Sequence, residues 1–555
     1  MKSNLKHITV IILMSFGIVS CSDFLEEDPR TLIAAENFYN TESDARNAVD
    51  GVYASMRNVY SRWWMCIDLY TDDVVSKRSS NSWTVPMATH TVSPSFQLFN
   101  DDQSSGNVYF DWWTGIGRAN DVLTNIKDMT IDQEVIGLIA GEARALRAFY
   151  YYNLVRAYGD VPFIVEGSDF NVPRSDVDKI YDEIIIPDLL FAAEHCSDGL
   201  HDGHITKWTA KLILAEVYLT RAGKRRTSAG EFVTGDESNY ALARDMAKDV
   251  IDNSPHDLNL EASSTAPAYG TAWDPNNAFS KESILEISYL PINGIGNWMT
   301  REGRAANDGR KYWGGQNDVP QLFDAYGNDL NNTSTVAELA FPRTNNSGIY
   351  LPTPNLYDAY EDGDERRDFN ILTRYDAPNG DIYLTQPMYR KFVDMDVLTG
   401  VEGADFRYAG NNTILYRYAD ALLIYAEAQN EADGAPNNEA YMAINRIRNR
   451  AGLSDLPAGL NQEEFRAAVY KERRCEFAGE YKRKFDLIRT DRLTNATEDI
   501  NIVWTSDQGA VQDLESAHID FSGQILWPDN EWLWPIPQSQ LEINIKNGWV
   551  QNEGY

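Results

Sequence analysis

The chain has 555 residues, 43% of them hydrophobic and 12% aromatic, so it can bury a large core and is unusually rich in flat rings, with 14 Trp and 30 Tyr. Its 83 acidic and 49 basic side chains leave a net charge of -34, which repels phosphate backbones and argues against nucleic-acid binding. Beyond Cys21 only Cys66, Cys196 and Cys475 occur, widely spaced and odd in number, so no disulfide framework is implied and stability must come from packing.

Lys2 and Lys6 precede a single apolar run that ends in small residues at Ile18-Val19-Ser20-Cys21. A basic start, a short apolar segment and small residues form a secretory signal, so residues 1–20 read as a signal peptide, too short to span a bilayer. The tail "IVSC" resembles the lipobox of bacterial lipoproteins, in which the cysteine is acylated and begins the mature chain. Cys21 is therefore the expected lipid anchor. No later stretch reaches 18 uninterrupted apolar residues, which leaves membrane association to the lipid.

Helical periods follow. "VYFDWWTGIGRANDVLTNI" places Trp112 and Trp113 within one, and both are expected in the core. In "EARALRAFYYYNLVRAYGDVPF" Ala143, Leu146, Tyr150, Leu154 and Ala157 recur at steps of three and four, and Gly159 followed by Pro162 ends the helix. Arg144, Arg147 and Arg156 on the same helix, with Glu142, read as ion-paired packing. "VDKIYDEIIIPDLLFAAEH", "ITKWTAKLILAEVYLTRAG" and "YALARDMAKDVID" continue the pattern. Leu214, Ala215 and Tyr218 match the core of a tetratricopeptide repeat, with Ala243 and Ala247 where its second helix packs small residues. From about 254 to 413 the sequence breaks into pieces crowded with Gly, Asn, Pro and Asp, read as long loops with a few short strands. Helices resume in "LYRYADALLIYAEAQNEADG" and "NEAYMAINRIRNRAGL", with Asp433-Gly434 turning between them. The expected organisation is a helical region over 21–253, a loop-rich ligand-binding insertion over 254–413 and a helical region over 414–555. The two helical regions should pack as one unit. The fold class is mostly α, a tetratricopeptide-like helical-repeat scaffold whose insertion carries short strands.

Catalytic templates are absent from the sequence: there is no H-E-x-x-H, no G-x-S-x-G and no phosphate-binding loop. With 83 acids, a carboxylate pair for glycosidase chemistry can be drawn almost anywhere and so says little. "EHCSDGLHDGH" crowds His195, Cys196, His201, Asp202 and His204 together, yet the spacing fits no common zinc pattern. "EDGDERRD", Glu361 to Asp368, lacks the alternation of a calcium loop and reads as an ion-paired turn. No metal and no cofactor are expected. The aromatic clusters carry more information. "SRWWMCIDLYTDDVVSKRSSNSWTVP" sets Trp63, Trp64 and Trp83 among Asp73 and Arg78, and "GIGNWMTREGRAANDGRKYWGG" holds Trp298, Tyr312 and Trp313. Sugars present flat C–H faces rimmed by hydroxyls, and a site for them needs exposed rings beside charged or amide groups. Trp63 and Trp64 are adjacent, so at most one should face solvent. Trp83, Trp298 and Trp313 sit in Gly/Ser/Asn-rich context; Trp83 with Trp298, Tyr312 or Trp313 is the candidate platform, with Arg78 or Asp73 bonding hydroxyls.

Four stretches together resemble one family. They are "CSDFLEEDP" from Cys21, "GEARALRAFYYYNLVRAYGDVPF", the ordered set "LYRYADALLIYAEAQNE", "AINRIRNRAGL" and "ERRCEFAGEYKRKFDLIRT", and the closing "LWPIPQSQLEINIKNGWVQNEGY". The chain resembles the SusD/RagB-like outer-membrane lipoproteins of bacterial glycan-uptake systems over essentially its whole mature length. Glu553 departs from the usual pattern, where proline is common. The resemblance implies a non-catalytic oligosaccharide-binding protein, anchored by lipid in the outer membrane and exposed at the cell surface. It also implies a SusC-like TonB-dependent transporter as partner. The same scaffold binding peptides or glycoproteins is the alternative, and a secreted glycoside hydrolase a more distant one.

Overall fold

A computed structural model describes residues 38–62, 64–76, 86–87, 90–96, 108–168, 171–264, 266–292, 294–299, 303, 310–312, 349–376, 382–393, 409–496, 498, 500–501, 503–505, 508, 514–515 and 527–555. Three helices, α1 (Glu42–Arg62), α2 (Val108–Asn125) and α3 (Gln133–Tyr158), pack against one another at the start of the chain. Asp132 opens α3 by accepting the N–H of Glu134, one of the donors that a helix start leaves unpaired. Gly159 closes it at φ 73°, a left-handed conformation that glycine adopts without steric penalty. The face read from periodicity is buried throughout, from Ala143 to Ala157. Because helices lie on both sides of α3, Arg147 and Asn153 are buried as well. Arg147 survives there by pairing: its Nε and one terminal nitrogen hold both oxygens of Asp188 at 2.7 and 2.9 Å, and Glu166 lies 2.6 Å away. A buried guanidinium without such partners would be strongly destabilising.

After α4 (Val177–Ile180), one π turn leads into α5 (Ile186–His195), then α6 (Lys207–Ala222) and α7 (Ser238–Asn253). Each packs on the next, as in stacked helical hairpins. Leu214, Ala215, Ala243 and Ala247 are fully buried in this stack. Two short helices, α8 (Pro354–Ala359) and α9 (Glu365–Asn370), precede α10 (Tyr418–Asp433), α11 (Asn438–Arg450), α12 (Gln462–Glu476), α13 (Arg483–Arg489) and α14 (Gln538–Asn544). Helix α10 lies against α7, α11 and α12, so the late helices extend the stack begun by the early ones. Gly434 makes the expected turn after α10 at φ 72°. The fold is mostly helical and tetratricopeptide-like, with short strands. One apolar cluster runs from Ala45 to Trp549 and joins both helical regions.

The strands serve as connectors. β1 (Val74–Val75) pairs antiparallel with β4 (Leu351–Pro352), and β2 (Ser283–Ile287) with β7 (Thr413–Arg417). Between β2 and β4 in the chain, β3 (Arg310–Tyr312) joins a three-stranded sheet with β6 (Ile382–Tyr389) and β5 (Ile371–Asp376), β6 in the middle. Where β7 enters α10, charges are buried together: Arg417 meets Glu282 at 3.0 Å and Glu480 at 2.9 Å, and Arg450 meets Glu282 at 2.7 Å. Every one of these four side chains is at most 3% exposed.

Candidate functional site

Helix α1 ends beside a segment more than two hundred positions further along. The N–H of Trp298 donates to the carbonyl of Ser61 at 3.1 Å, and the Tyr289 hydroxyl donates to the carbonyl of Arg57 at 3.2 Å. What holds Trp298 in place is its neighbour. The Asn297 N–H donates to the Ala409 carbonyl at 2.9 Å, and its side-chain amide donates to Asn411 O at 2.9 Å and Thr413 Oγ1 at 3.2 Å. Its side-chain oxygen accepts the Met299 N–H at 2.9 Å. Asn297 is 2% exposed and fully engaged, whereas Trp298 next to it is only partly buried. Asn297 was not among the residues the sequence singled out. An asparagine in a Gly-rich loop reads as a turn former, and only the packing of 409–413 gives it this role.

The second stretch is anchored just before β1. Asp73 is 3% exposed; its carboxylate accepts from Arg474 Nε at 2.6 Å, and its carbonyl accepts from the Tyr389 hydroxyl at 2.8 Å and the Thr353 N–H at 3.1 Å. Asp72 accepts both nitrogens of the Arg483 fork at 2.8 and 2.6 Å. The two neighbours titrate in opposite directions. Burial alone would raise Asp72, but Arg483 and Arg474 outweigh it and bring its pKa down to about 2. Asp73 is raised, by burial first and then by the charge of Asp72, against the pull of Arg474 and Arg483. β1 follows, paired with β4, and Tyr389 at the end of β6 reaches back to Asp73, so β6 links β3 to this anchor.

The expected site residues therefore fall in different places. Trp298 stands at the junction with α1. Tyr312 lies in β3 opposite Ile382, where the strand pairing is described and its side chain is not. Trp64 presents no face to a ligand. It is 1% exposed and packed edge-on to Trp112 at 5.5 Å and Trp534 at 6.2 Å, because the 3-10 turn Trp64–Ile67 folds it into the core. Asp73 likewise offers its carboxylate to Arg474 and not to solvent, so it anchors the loop from below. Trp63, Arg78, Trp83 and Trp313 lie outside the described residues, as does Cys21. Trp112 is fully buried and Trp113 packs at the edge of the same core. In the histidine-rich turn, His195 stacks on Phe191 at 3.9 Å, His201 is buried with Nε2 accepting the Glu286 N–H at 2.9 Å, and His204 meets Glu142 at 3.0 Å. Those side chains face separate partners, and no group of three or more metal-ligating side chains occurs among the described residues. Glu361 and Asp364 in the acidic turn are paired with Arg448 and Arg366.

Comparison with known proteins adds the family. The model of the SusD family matches residues 281–555, and a second, described as "Starch-binding associating with outer membrane", matches residues 23–219. The chain belongs to the SusD family. SusD-like protein P25 of Formosa agariphila is 27% identical to this SusD-family chain over 583 aligned residues, covering 99% of each. A SusD superfamily protein from Parabacteroides distasonis shares the fold with a TM-score of 0.70 at 24% identity, over 93% of this chain and 99% of that one. Surface glycan-binding protein A from Bacteroides thetaiotaomicron, solved in complex with laminarihexaose, does so with a TM-score of 0.65 at 19% identity, over 92% and 99%. Among the described residues no helix of this family member is long and apolar enough to cross a membrane.

Proposed function

We propose that this chain is a non-catalytic glycan-binding lipoprotein of the outer-membrane surface, which captures oligosaccharides and passes them to a SusC-like TonB-dependent transporter. One observation carries the reading: the Trp298 amide seated on the Ser61 carbonyl. That bond holds the partly buried Trp298, from the middle of the chain, beside the end of α1, after which the sequence runs to Trp63 and, past β1, to Arg78 and Trp83. A stacking platform for sugar faces needs rings from separated stretches brought to one place on a rigid base. Family membership supports the same reading, and one of the fold's solved members carries a bound laminarihexaose. Trp83, Tyr312 and Trp313 are assigned to the platform with Trp298, and Arg78 to hydroxyl bonding at its rim. Cys21 supplies the lipid, where several acyl chains anchor firmly and one only marginally. A shallow site that hands its ligand onward suits affinities between about 1 mM and about 1 μM. Titration of the purified protein with a panel of oligosaccharides, neutral and acidic, read for both affinity and shortened products, tests the reading. Binding without product is expected. Absence of binding across the panel, or release of products, defeats it.

A further inference from the structure

A cleft of about 580 Å³ opens between α8, α12 and the turn after α13. In a chain of net charge -34 its walls are unusual, with Arg466, Lys471, Arg474, Arg483 and Arg492 facing only Asp358 and Glu463. Four of these cations already have carboxylates: Arg466 with Glu431, Lys471 with Glu361 at 3.3 Å, Arg474 with Asp73 at 2.6 Å and Arg483 with Asp72 at 2.6 Å. Asp358 is engaged by the Gln508 side-chain amide at 2.9 Å. Arg492 differs. Its guanidinium lies over the Tyr470 ring, 4.3 Å from the centroid, and its Nε donates to Thr490 Oγ1 at 2.8 Å. Its two terminal nitrogens have no partner among the described residues. Stacking and the Thr490 bond fix the plane of the fork, so its free edge is presented in one orientation. Burial first, then the neighbouring Arg483, draws down the pKa of Arg492, and an anion at that edge would relieve both.

We propose that the Arg492 cleft is an oxyanion subsite for saccharides, taking the carboxylate of a uronic acid or a sulfate ester at the free edge of the guanidinium. A planar, bidentate fork matches either group, and a concave cleft of this volume suits a sugar unit where a protein partner would want a flatter and larger surface. Placement favours a saccharide too. Arg474 and Arg483, on the cleft wall, clamp Asp72 and Asp73 immediately before β1, the strand that leads to Arg78 and Trp83. The inference rests on the glycan-capture reading and deepens it by naming acidic sugars among the ligands.

Calorimetry on the full mature chain tests it with four probes at matched ionic strength: tri-galacturonate, its carboxyl-reduced neutral counterpart, a sulfated galactan tetrasaccharide and inorganic sulfate. At least one acidic saccharide should bind about tenfold more tightly than the neutral counterpart, and Arg492→Gln should remove that advantage. Arg492→Lys, which keeps the charge and loses the fork, should keep only part of it. Melting temperatures of both variants should fall only modestly, through the lost Tyr470 stacking and Thr490 bond, with unfolding still cooperative. If Arg492→Gln does not fold, displacement of the acidic saccharide from the parent protein by inorganic sulfate decides in its place. Equal affinity for acidic and neutral probes overturns the subsite while leaving glycan capture intact. Binding of inorganic sulfate with no acidic saccharide bound overturns it as well, because the ligand is then a free oxyanion. Failure of every saccharide, including the panel above, is the separate result that removes glycan capture.

Discussion

Arg483 grips both carboxylate oxygens of Asp72, at 2.8 and 2.6 Å, across 411 positions of sequence. An aspartate in an unfolded chain titrates near about 3.9, whereas Asp72 in the fold is held at about 2. A folded pKa below the unfolded one means that the stabilisation is fully present above the unfolded value and is lost as pH falls toward the folded one. Asp72→Asn should therefore be less stable than the parent at neutral pH, by about 2 kcal/mol, with the gap closing in strong acid. Urea unfolding at neutral pH and again between about pH 4 and about pH 2 checks this. A gap that stayed constant across that range would contradict the assigned titration.

Trp64 and Trp298 should respond in opposite ways to truncation. Trp64→Ala empties a site walled by Trp112 and Trp534 and should cost about 3–5 kcal/mol of stability. Trp298→Ala should leave the fold standing and weaken oligosaccharide binding by about 2 kcal/mol, roughly thirtyfold. Melting temperature and calorimetry measured on both variants separate the two roles. Unchanged affinity in Trp298→Ala, Trp83→Ala and Trp313→Ala together would leave the platform misplaced.

In the proposed platform Asn297 would act through Trp298 without touching the ligand. Asn297→Ala leaves buried partners at Asn411 and Met299 unsatisfied and should cost about 1–3 kcal/mol of stability. It should also weaken binding with the Trp298 ring still present, which a purely structural role elsewhere in the core would not do. Tryptophan fluorescence of the ligand-bound form, compared between Asn297→Ala and the parent, reports the displaced ring.

Cys21→Ala should free the protein from the membrane fraction. Detergent partitioning of the variant against the parent measures it, and protease treatment of whole cells tests exposure at the surface. Retention of Cys21→Ala in the detergent phase would falsify lipid anchoring at this residue.

A complex with a TonB-dependent transporter should survive mild detergent. Affinity capture of the lipoprotein should recover a much larger barrel protein, identified by mass spectrometry. Recovery of the lipoprotein alone under several detergents counts against delivery to such a partner.

The helical scaffold was legible because each helix carries its own signals. Period, cap and stop are local, as Asp132 and Gly159 show for α3. The site was less so, because the fate of a tryptophan depends on neighbours that sequence distance hides. Trp64 and Trp298 both sit in aromatic, polar stretches; Trp64 meets Trp534 from the end of the chain and is buried, while Trp298 meets the end of α1 through its backbone and is only partly buried. Asp73 looked like a hydroxyl-binding acid, and only Arg474, 401 positions away, turns it into an anchor. The basic cleft was legible only in part: its five cations all lie between Arg466 and Arg492, a visibly basic stretch, but which of them lack a carboxylate partner depends on Asp72, Asp73, Glu361 and Glu431 from elsewhere in the chain.

The end of α3 is completed by the last residues of the chain. The Trp534 N–H donates to the Ala157 carbonyl at 2.6 Å, and the Asn552 side chain donates to the Tyr158 carbonyl at 2.9 Å, across 394 positions. A ribosome adds about 5–20 residues per second, so a finished α3 waits roughly 20–80 s for the groups that close it. During synthesis the first helices have no clasp and no partners for Asp72 and Asp73. Until the tail is made the end of α3 lacks both bonds, and a nonsense codon before Asn552 removes the side chain that closes Tyr158.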